Sequence, residues 1–395
     1  PLTGGPLKAF ITLRNFRCLR QVVELQQRLD LDCDVIHTGA SGNECSSETG
    51  RRAMKRLTDE FYEVYVVPSR VPAPLRKAIQ ERVEKGAGLV IIEGFARTRE
   101  LLDAKALHSA PQDHPLRQGI PWESLPHNTL EDIETGVLGK GRVVRLSFPR
   151  ERGRVWGLMP YGHKLTAYRT RQFEYWEYWE ALFAKAFCWA AGRETRASLS
   201  LVSTAPRSAI LQAQDSPPDA TASVICRSAR EIRFDGPMLR WEPTDHPIKN
   251  GRLKLTIPAA MPAGEVLIDT VIKDAQGGVS GWHSLATRLP QKVTIRELTP
   301  EQTVSNGDGA IELSAELSAP TICRVILETS LIDAFGRRVV QSVTEHSVGT
   351  TAQRIPILLS PPTPICVHHK AFVRALADGR EQDSRWVTVL FPDVG

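Results

Sequence analysis

The sequence predicts a multidomain protein, in which an α/β domain with a doubly wound parallel sheet is followed by two antiparallel β-sandwiches. A chain of 395 residues is too long for one ordinary hydrophobic core. Residues 7–194 alternate strand-like and helix-like segments, which is typical of parallel strands joined by right-handed crossovers. From about residue 196 the chain has short alternating runs separated by Pro, Gly and Asp, which is typical of sandwiches.

The strands of the first domain are predicted from short apolar runs, and its helices from apolar residues at a helical period. The stretch KGAGLVIIEG, residues 85–94, is predicted to be the fourth strand and to end at the carboxyl edge of the sheet. Pro74 is expected in the first turn of a helix, and Gly192 suits the position just after the last one. The other predicted strands cover 8–13, 33–37, 63–68 and 141–148, and the predicted helices cover 18–29, 74–85 and 174–194.

The second half contains strand-like runs that end in turn signals such as KDAQGG, IDAFGR and LADGR. Asp-x-x-Gly and Asp-Gly turns close hairpins between antiparallel strands. About 200 residues suffice for two sandwiches of roughly 100 residues each. We therefore expect domains at 1–194, 195–290 and 291–395. Trp241, Trp282 and Trp386 occur singly and are expected in the sandwich cores.

Five stretches of the first domain carry a resemblance to a known family: YEVYVVPS, VEKGAGLVIIEG, HPLRQGIPWESLP, GKGRVVRLSF and YWEALFAKAFCWAAGRE. Together they resemble class I glutamine amidotransferase-like domains, in their flavodoxin-like form. The match is closest to non-catalytic members in large bacterial multidomain proteins, including the trimer-forming domain of beta-galactosidase-like glycoside hydrolases. The remaining residues resemble immunoglobulin-like or fibronectin-like sandwiches, which implies architecture and no activity.

The residues that a working amidotransferase would need are missing from the expected places. Such an enzyme needs a Cys on a strained strand-to-helix turn and a His two residues before a Glu. The sequence has no cysteine between Cys45 and Cys188, and Leu165 stands two residues after His163. No G-x-S-x-G motif offers a serine in place of the cysteine. The resemblance therefore implies a degenerate domain that lacks the Cys-His-Glu triad.

Two further kinds of site remain candidates. Glu93 at the predicted strand end and His163 could act as acid and base in a hydrolase with an atypical site, although a polar strand cap is the simpler interpretation of Glu93. Trp176 and Tyr178 could contact a glycan or another subunit, whereas Trp179 and Trp189 are expected in the core.

Metal and cofactor sites are not predicted. His108, His114 and His127 with Asp113 and Glu123 fit no metal-binding spacing, and their segment is expected to be a loop. Cys33, His37 and Cys45 lack an evident fourth ligand. We expect neither a metal nor a cofactor.

The composition indicates which kinds of partner are not expected. No apolar run approaches the roughly 18–20 residues of a membrane helix, and a formal net charge of +5 is small for this length, so neither a membrane span nor nucleic acid is expected. Seven scattered cysteines without CxxC pairs argue against a disulfide framework.

Both ends are expected to be cuts in a longer polypeptide. By resemblance we expect an accessory or oligomerisation region of a larger bacterial carbohydrate-active protein, secreted or at the cell surface rather than cytoplasmic. Its expected partners are other domains or subunits of that protein, with a second copy of this chain and a carbohydrate as further candidates.

Overall fold

The computed structural model describes residues 2, 4–13, 19–37, 48–67, 71, 73–93, 107–124, 132–147, 176–194, 197–205, 207–229, 242–301, 304, 310–361 and 366–391. It contains one mixed sheet with parallel and antiparallel strands and four antiparallel sheets among these residues. The architecture is that of an α/β region followed by β-sandwiches.

The α/β region alternates strands and helices as the sequence predicts. Its strands are β1 (Leu7–Leu13), β2 (Leu31–His37), β3 (Val64–Val67), β4 (Gly88–Glu93), β5 (Leu107–Ser109), β6 (Asp132–Leu138) and β7 (Gly141–Ser147). Its helices are α1 (Leu19–Arg28), α2 (Glu48–Asp59), α3 (Ala73–Glu84) and α4 (Trp176–Ala190). The predicted strands and helices of this region are confirmed to within a few residues, whereas α2, β5 and β6 were not predicted.

The seven strands form one sheet in the order β2-β1-β3-β4-β7-β6-β5. Strands β2, β1, β3, β4 and β7 pair in parallel, and β6 and β5 extend the sheet with antiparallel pairing. The direction of winding reverses at β1 and β3, as in doubly wound sheets.

Each face of this sheet is covered by its own hydrophobic core. Alternate residues of β1 belong to different cores. Ile11 belongs to the core under α1 and α4, and Phe10 belongs to the core under α2 and α3. This alternation is the strand period of two. Helices on both faces explain why β4 consists of consecutive buried residues, from Leu89 to Ile92.

Helix α4 ends as its sequence predicts. Gly192 has a φ of 73°, which is a left-handed conformation that glycine adopts without strain. The backbone N–H of Arg193 donates to the carbonyl of Cys188 at 2.7 Å and closes the last turn. The helix therefore ends directly before the first sandwich begins.

The first sandwich pairs the three-stranded sheet β12-β9-β8 with the four-stranded sheet β11-β10-β13-β14. Residues such as Leu211, Leu253 and Ile268 fill the space between the two sheets. Its strands are β8 (Ser198–Ala205), β9 (Ser208–Gln214), β10 (Thr221–Ser228), β11 (Thr244–Pro247), β12 (Arg252–Thr256), β13 (Gly264–Lys273) and β14 (Val279–Leu289).

The second sandwich repeats this arrangement strand for strand. Its sheets have the orders β15-β16-β19 and β18-β17-β20-β21, so β17, β20 and β21 correspond to β10, β13 and β14. Its strands are β15 (Thr294–Pro300), β16 (Ile311–Ser318), β17 (Cys323–Asp333), β18 (Arg338–Val348), β19 (Gln353–Leu359), β20 (His368–Ala377) and β21 (Arg380–Leu390).

The predicted hairpin turns are confirmed. Gly277 and Gly336 have positive φ values of 80°, and each donates its N–H to the carbonyl of the Asp three residues before it. The carboxylates of Asp274 and Asp333 accept two further backbone N–H groups in each turn. At the Asp378-Gly379 turn both residues have positive φ, of 51° and 70°, as a two-residue hairpin turn requires.

The expectation that Trp282 and Trp386 are sandwich core residues is wrong. Trp282 packs from the outer face of β14 against the core of the α/β region. Trp386 lies opposite Phe372 on the outer face of β21, and the ammonium of Lys370 lies 4.5 Å from its ring centroid. Trp241 lies outside the described residues. A strand has two faces, and both can bury apolar side chains when a further layer covers the sheet.

Candidate functional site

A cavity lies between helix α4 and the outer face of the first sandwich, and we refer to it as the junction cavity. Its volume is about 380 Å³, and its walls include Ala181 and Ala184 of α4 and Ile225, Val271 and Trp282 of the sheet. Ligand sites occur preferentially at such domain interfaces. Its polar walls are formed by Tyr178, Glu180, Arg227, Asp269, Lys273 and Ser284.

The cavity is fixed in place because α4 and the first sandwich share a hydrophobic core. Leu267 is on the outer face of β13 and is only 1% exposed, and it belongs to the same buried cluster as Phe183 and Phe187 of α4. The backbone N–H of Ser284 also donates to the carbonyl of Gly119 in the α/β region at 2.9 Å. The two regions therefore form a continuous packed junction.

Asp269 is the centre of the polar network in the cavity. Its Oδ1 accepts a hydrogen bond from the Ser284 hydroxyl at 2.7 Å. Its Oδ2 lies 2.9 Å from Nε of Arg227 and 3.4 Å from the hydroxyl of Tyr178. These partners come from β14, β10 and α4, so the carboxylate ties the helix to the sheet. The Asp269 and Arg227 side chains remain 18% and 31% exposed.

His283 stands beside the cavity as an uncharged ring. Its Nε2 lies 2.7 Å from the carbonyl of Ala197, so Nε2 carries the proton and donates it. Burial, assisted by the nearby Lys185 ammonium, lowers the pKa of His283 to about 3. The described residues give Nδ1 no hydrogen-bond donor. A Cβ at Gly119 would come within 2.4 Å of that nitrogen, and Gly119 has a φ of 65°, so glycine is required there.

Lys185 of α4 is a second buried basic group at the junction. It is 9% exposed, and burial lowers its pKa to about 8. It lines a separate void of about 20 Å³ with Cys188, Trp189, Glu194 and Trp282 among others, which is room for about one water molecule. Burial raises the pKa of the Cys188 thiol to about 12, so Cys188 is a buried neutral side chain rather than a nucleophile.

The two residues predicted as acid and base fall outside the side chains that the structure describes. Glu93 is the last residue of β4, where its backbone pairs with Ser147, and its side chain is outside the described residues. His163 lies outside the described residues altogether. Their pairing as acid and base stays a prediction.

Of the two candidate aromatics, Tyr178 lies at the junction cavity. It is 3% exposed, and its hydroxyl reaches Asp269. Trp176 is the first residue of α4, and its side chain is outside the described residues. Trp179 is buried in the core and Trp189 is half-buried against it, as expected.

The described residues hold no group of three or more His, Cys, Asp and Glu side chains that could bind a metal. In the predicted loop, Nδ1 of His114 accepts a hydrogen bond from the backbone N–H of Leu116 at 3.2 Å, and its ring lies tilted against Trp189 with the ring centroids 5.2 Å apart. No helix in the described ranges has the length and apolar character needed to cross a bilayer.

Comparison with known proteins gives only distant likenesses. No family model matches the chain, and no curated protein matches it. Similar solved structures include a glycosyl hydrolase family 2 member from Bacteroides cellulosilyticus, with 11% identity over 47% of this chain, 28% of that chain and a TM-score of 0.24. A putative beta-galactosidase from Bacteroides fragilis has 13% identity over 48% of this chain, 33% of that chain and a TM-score of 0.22.

An alpha-2-macroglobulin from Salmonella is also similar, with 10% identity over 50% of this chain, 16% of that chain and a TM-score of 0.28. In these three cases the chain spans a third or less of the similar protein's length. At such scores the likenesses assign neither fold nor function to this chain.

Proposed function

We propose that the chain is a non-catalytic scaffold region of a larger carbohydrate-active protein, divided into domains at 1–194, 195–290 and 291–395. The first domain is proposed to be a flavodoxin-like, amidotransferase-like domain that has lost its Cys-His-Glu triad, and the other two to be immunoglobulin-like sandwiches. The observation that carries the proposal is the rigid coupling of the three regions, described next.

The first coupling is the shared core between α4 and the first sandwich. Leu267 fills that core from β13, and burial of a leucine side chain contributes about 1.5–3 kcal/mol. Asp269 adds a partly buried polar contact between helix and sheet. A scaffold needs such fixed angles between its parts, whereas independent modules are joined by exposed linkers.

The second coupling is a hydrogen-bonded joint between the two sandwiches. Ala263 N–H donates to the carbonyl of Glu381 at 3.0 Å, and Arg380 Nη2 donates to the carbonyl of Met261 at 2.9 Å. The side chain of Gln382, which is buried, accepts the N–H of Lys292 at 2.9 Å. The chain between the sandwiches is therefore held on both sides.

The sequence supports the lack of catalysis. No cysteine occurs between Cys45 and Cys188, and Cys188 is buried in α4. A buried thiol with a raised pKa is not activated. We therefore expect no amidotransferase chemistry from this chain.

Activity assays test the absence of catalysis. The purified chain is incubated with glutamine, with a nitrophenyl ester and with nitrophenyl glycosides, and we expect no turnover of any of them. Robust turnover that Glu93→Gln or His163→Ala abolishes would overturn the proposal in favour of a hydrolase at the carboxyl edge of the sheet.

Limited proteolysis tests the rigid coupling. We expect the segment at Gln291 and Lys292 to resist cleavage in the wild-type chain and to become cleavable in Gln382→Ala, which removes the hydrogen bond from the N–H of Lys292. Glu328→Gln, on the second sandwich and away from the joint, is the matched control. Rapid cleavage of the wild-type chain at this segment would contradict a scaffold.

A further inference from the structure

We propose that the junction cavity binds a neutral sugar ring, held between α4 and the outer face of the first sandwich. A non-catalytic scaffold does not require such a site, so the proposal goes beyond the function above. The cavity of about 380 Å³ lies within the size range of small-molecule pockets, near its lower end. That size suits a single ring or a short saccharide.

The charges on the cavity wall balance, which favours an uncharged ligand. Arg227 lies 2.9 Å from Asp269 and Lys273 lies 3.7 Å from Asp245, so each cation of the wall already has an anionic partner. His283 adds no charge, because burial keeps its ring neutral. An anionic or cationic ligand would leave one of these buried or half-buried charges opposed by a like charge.

The same polar groups match hydroxyl groups in particular. A hydroxyl can donate to a carboxylate and accept from a guanidinium at the same time. Asp269 and Arg227 lie 2.9 Å apart and are both partly exposed, so adjacent hydroxyls of one ring can reach both. Hydrogen bonds to charged groups are stronger than those between neutral groups, which suits recognition of a polar but uncharged molecule.

The remaining walls are apolar and aromatic. Trp282 faces the cavity from β14, and Ile225 and Val271 line it from β10 and β13. Aromatic side chains offer a large apolar face together with a polar edge. A sugar ring has the complementary character, with apolar C–H faces and a polar rim, so it can meet both kinds of wall.

Saturation-transfer NMR with defined probes tests the assignment. The purified full chain is mixed in turn with glucose, galactose, mannose and lactose, and separately with inorganic phosphate and choline as anionic and cationic probes. We expect at least one sugar to bind and both charged probes not to bind. Binding of phosphate or choline in place of every sugar would overturn the proposal.

Two variants test whether the sugar binds in the junction cavity. Asp269→Asn is expected to weaken sugar binding about tenfold or more, which is the loss expected for one charge-assisted hydrogen bond. Ser223→Phe fills the cavity from β10 without touching the Asp269 network and is expected to abolish binding. Thermal unfolding checks that each variant is folded. If Asp269→Asn does not fold, Ser223→Phe alone tests whether the sugar binds in the cavity.

Glu328→Gln is the matched control, since it changes a carboxylate on the outer face of the second sandwich, on the β17 strand that pairs with β20, and it should bind like the wild type. If no sugar of the panel binds the wild type, or if Ser223→Phe binds a sugar as well as the wild type does, the cavity is not a sugar site. Either result leaves the scaffold proposal standing, because resistance to proteolysis and absence of turnover do not depend on the cavity.

Discussion

The four-stranded sheets of the two sandwiches have the same strand order, but their outer faces have different neighbours. The outer face of β10-β13-β14 is covered by α4, which buries Leu267 and encloses the junction cavity. On the corresponding sheet of the second sandwich, Ile326 and Val343 are 36% and 58% exposed. Identical topology therefore does not determine which face of a sheet becomes a site.

The two faces also carry a similar charge arrangement with opposite signs. In the first sandwich, Asp269 of β13 is paired with Arg227 of β10. In the second, Arg374 of β20 is paired with Glu328 of β17 at 3.1 Å and with Glu381 of β21 at 2.8 Å. A charge on the central strand thus links its neighbours in both sheets, and the one on the covered sheet lines the junction cavity.

The largest difference between the two faces should appear on truncating an apolar side chain. Leu267→Ala is expected to lower the free energy of unfolding by about 2–5 kcal/mol, because it leaves a cavity in the shared core. Ile326→Ala, on the exposed face, should cost under about 1 kcal/mol. Urea unfolding of both variants measures this, and equal costs would show that α4 does not seal the first face.

Gly119→Ala tests the contact between the α/β region and β14. A positive φ costs a non-glycine residue about 1–2 kcal/mol, and the new methyl group must displace the His283 ring for about 1–3 kcal/mol more. We expect a loss of roughly 3 kcal/mol, measured by urea unfolding. Gly379→Ala has the same positive φ but no atom within 4 Å of the new Cβ, so it should show the backbone cost alone.

Lys185→Met should stabilise the junction at neutral pH. The pKa of Lys185 in the folded chain is about 8, below the ordinary lysine value of 10.5, so the unfolded chain binds the proton more tightly and stability rises with pH between these values. The gain on replacing Lys185 is therefore full below about pH 8, at most about 3 kcal/mol, and disappears above about pH 10.5.

The measurement is thermal unfolding of wild type and Lys185→Met across this pH range. Lys370→Met is the control, since Lys370 lies on the uncovered sheet over Trp386. If the stability gained by Lys185→Met did not change with pH, the claim that the buried charge of Lys185 destabilises the folded chain would be wrong.

The smallest effect is expected for the exposed charge network. Arg374→Gln should lower stability by under about 1 kcal/mol, since partly exposed ion pairs are screened by solvent. The loss should shrink further in 1 M salt. Asp269→Asn, at the covered face, should cost more and respond less to salt. Similar salt responses in the two variants would indicate that the junction is as hydrated as the open face.

The sequence predicted the scaffold better than the site. Strong apolar runs such as Leu89–Ile92 identified the parallel strands, and the Asp-x-x-Gly signals identified the hairpins. Helix α2 was missed because half of its residues are charged and only Ala53, Met54 and Leu57 are apolar. Its apolar stripe is therefore narrow, although apolar and charged residues lie on opposite sides of the helix.

The junction cavity could not be found from the sequence. Its polar groups come from positions 178, 227, 269 and 284, which no motif connects and only the folded chain brings together. Trp282 was misplaced for a related reason, because alternation shows that a strand has two faces and does not show that a helix covers the second one. Tyr178 was singled out, but nothing in its neighbourhood pointed to Asp269.

The neutral ring of His283 makes the junction sensitive to acid. Burial lowers the pKa of this imidazole to about 3 in the folded protein, whereas an ordinary histidine has a pKa of 6.5. Between these two values the unfolded chain binds a proton that the folded chain does not bind, so folding stability falls as the pH is lowered. Acid would thus weaken the contacts of this ring with Gly119 of the α/β region and with the carbonyl of Ala197.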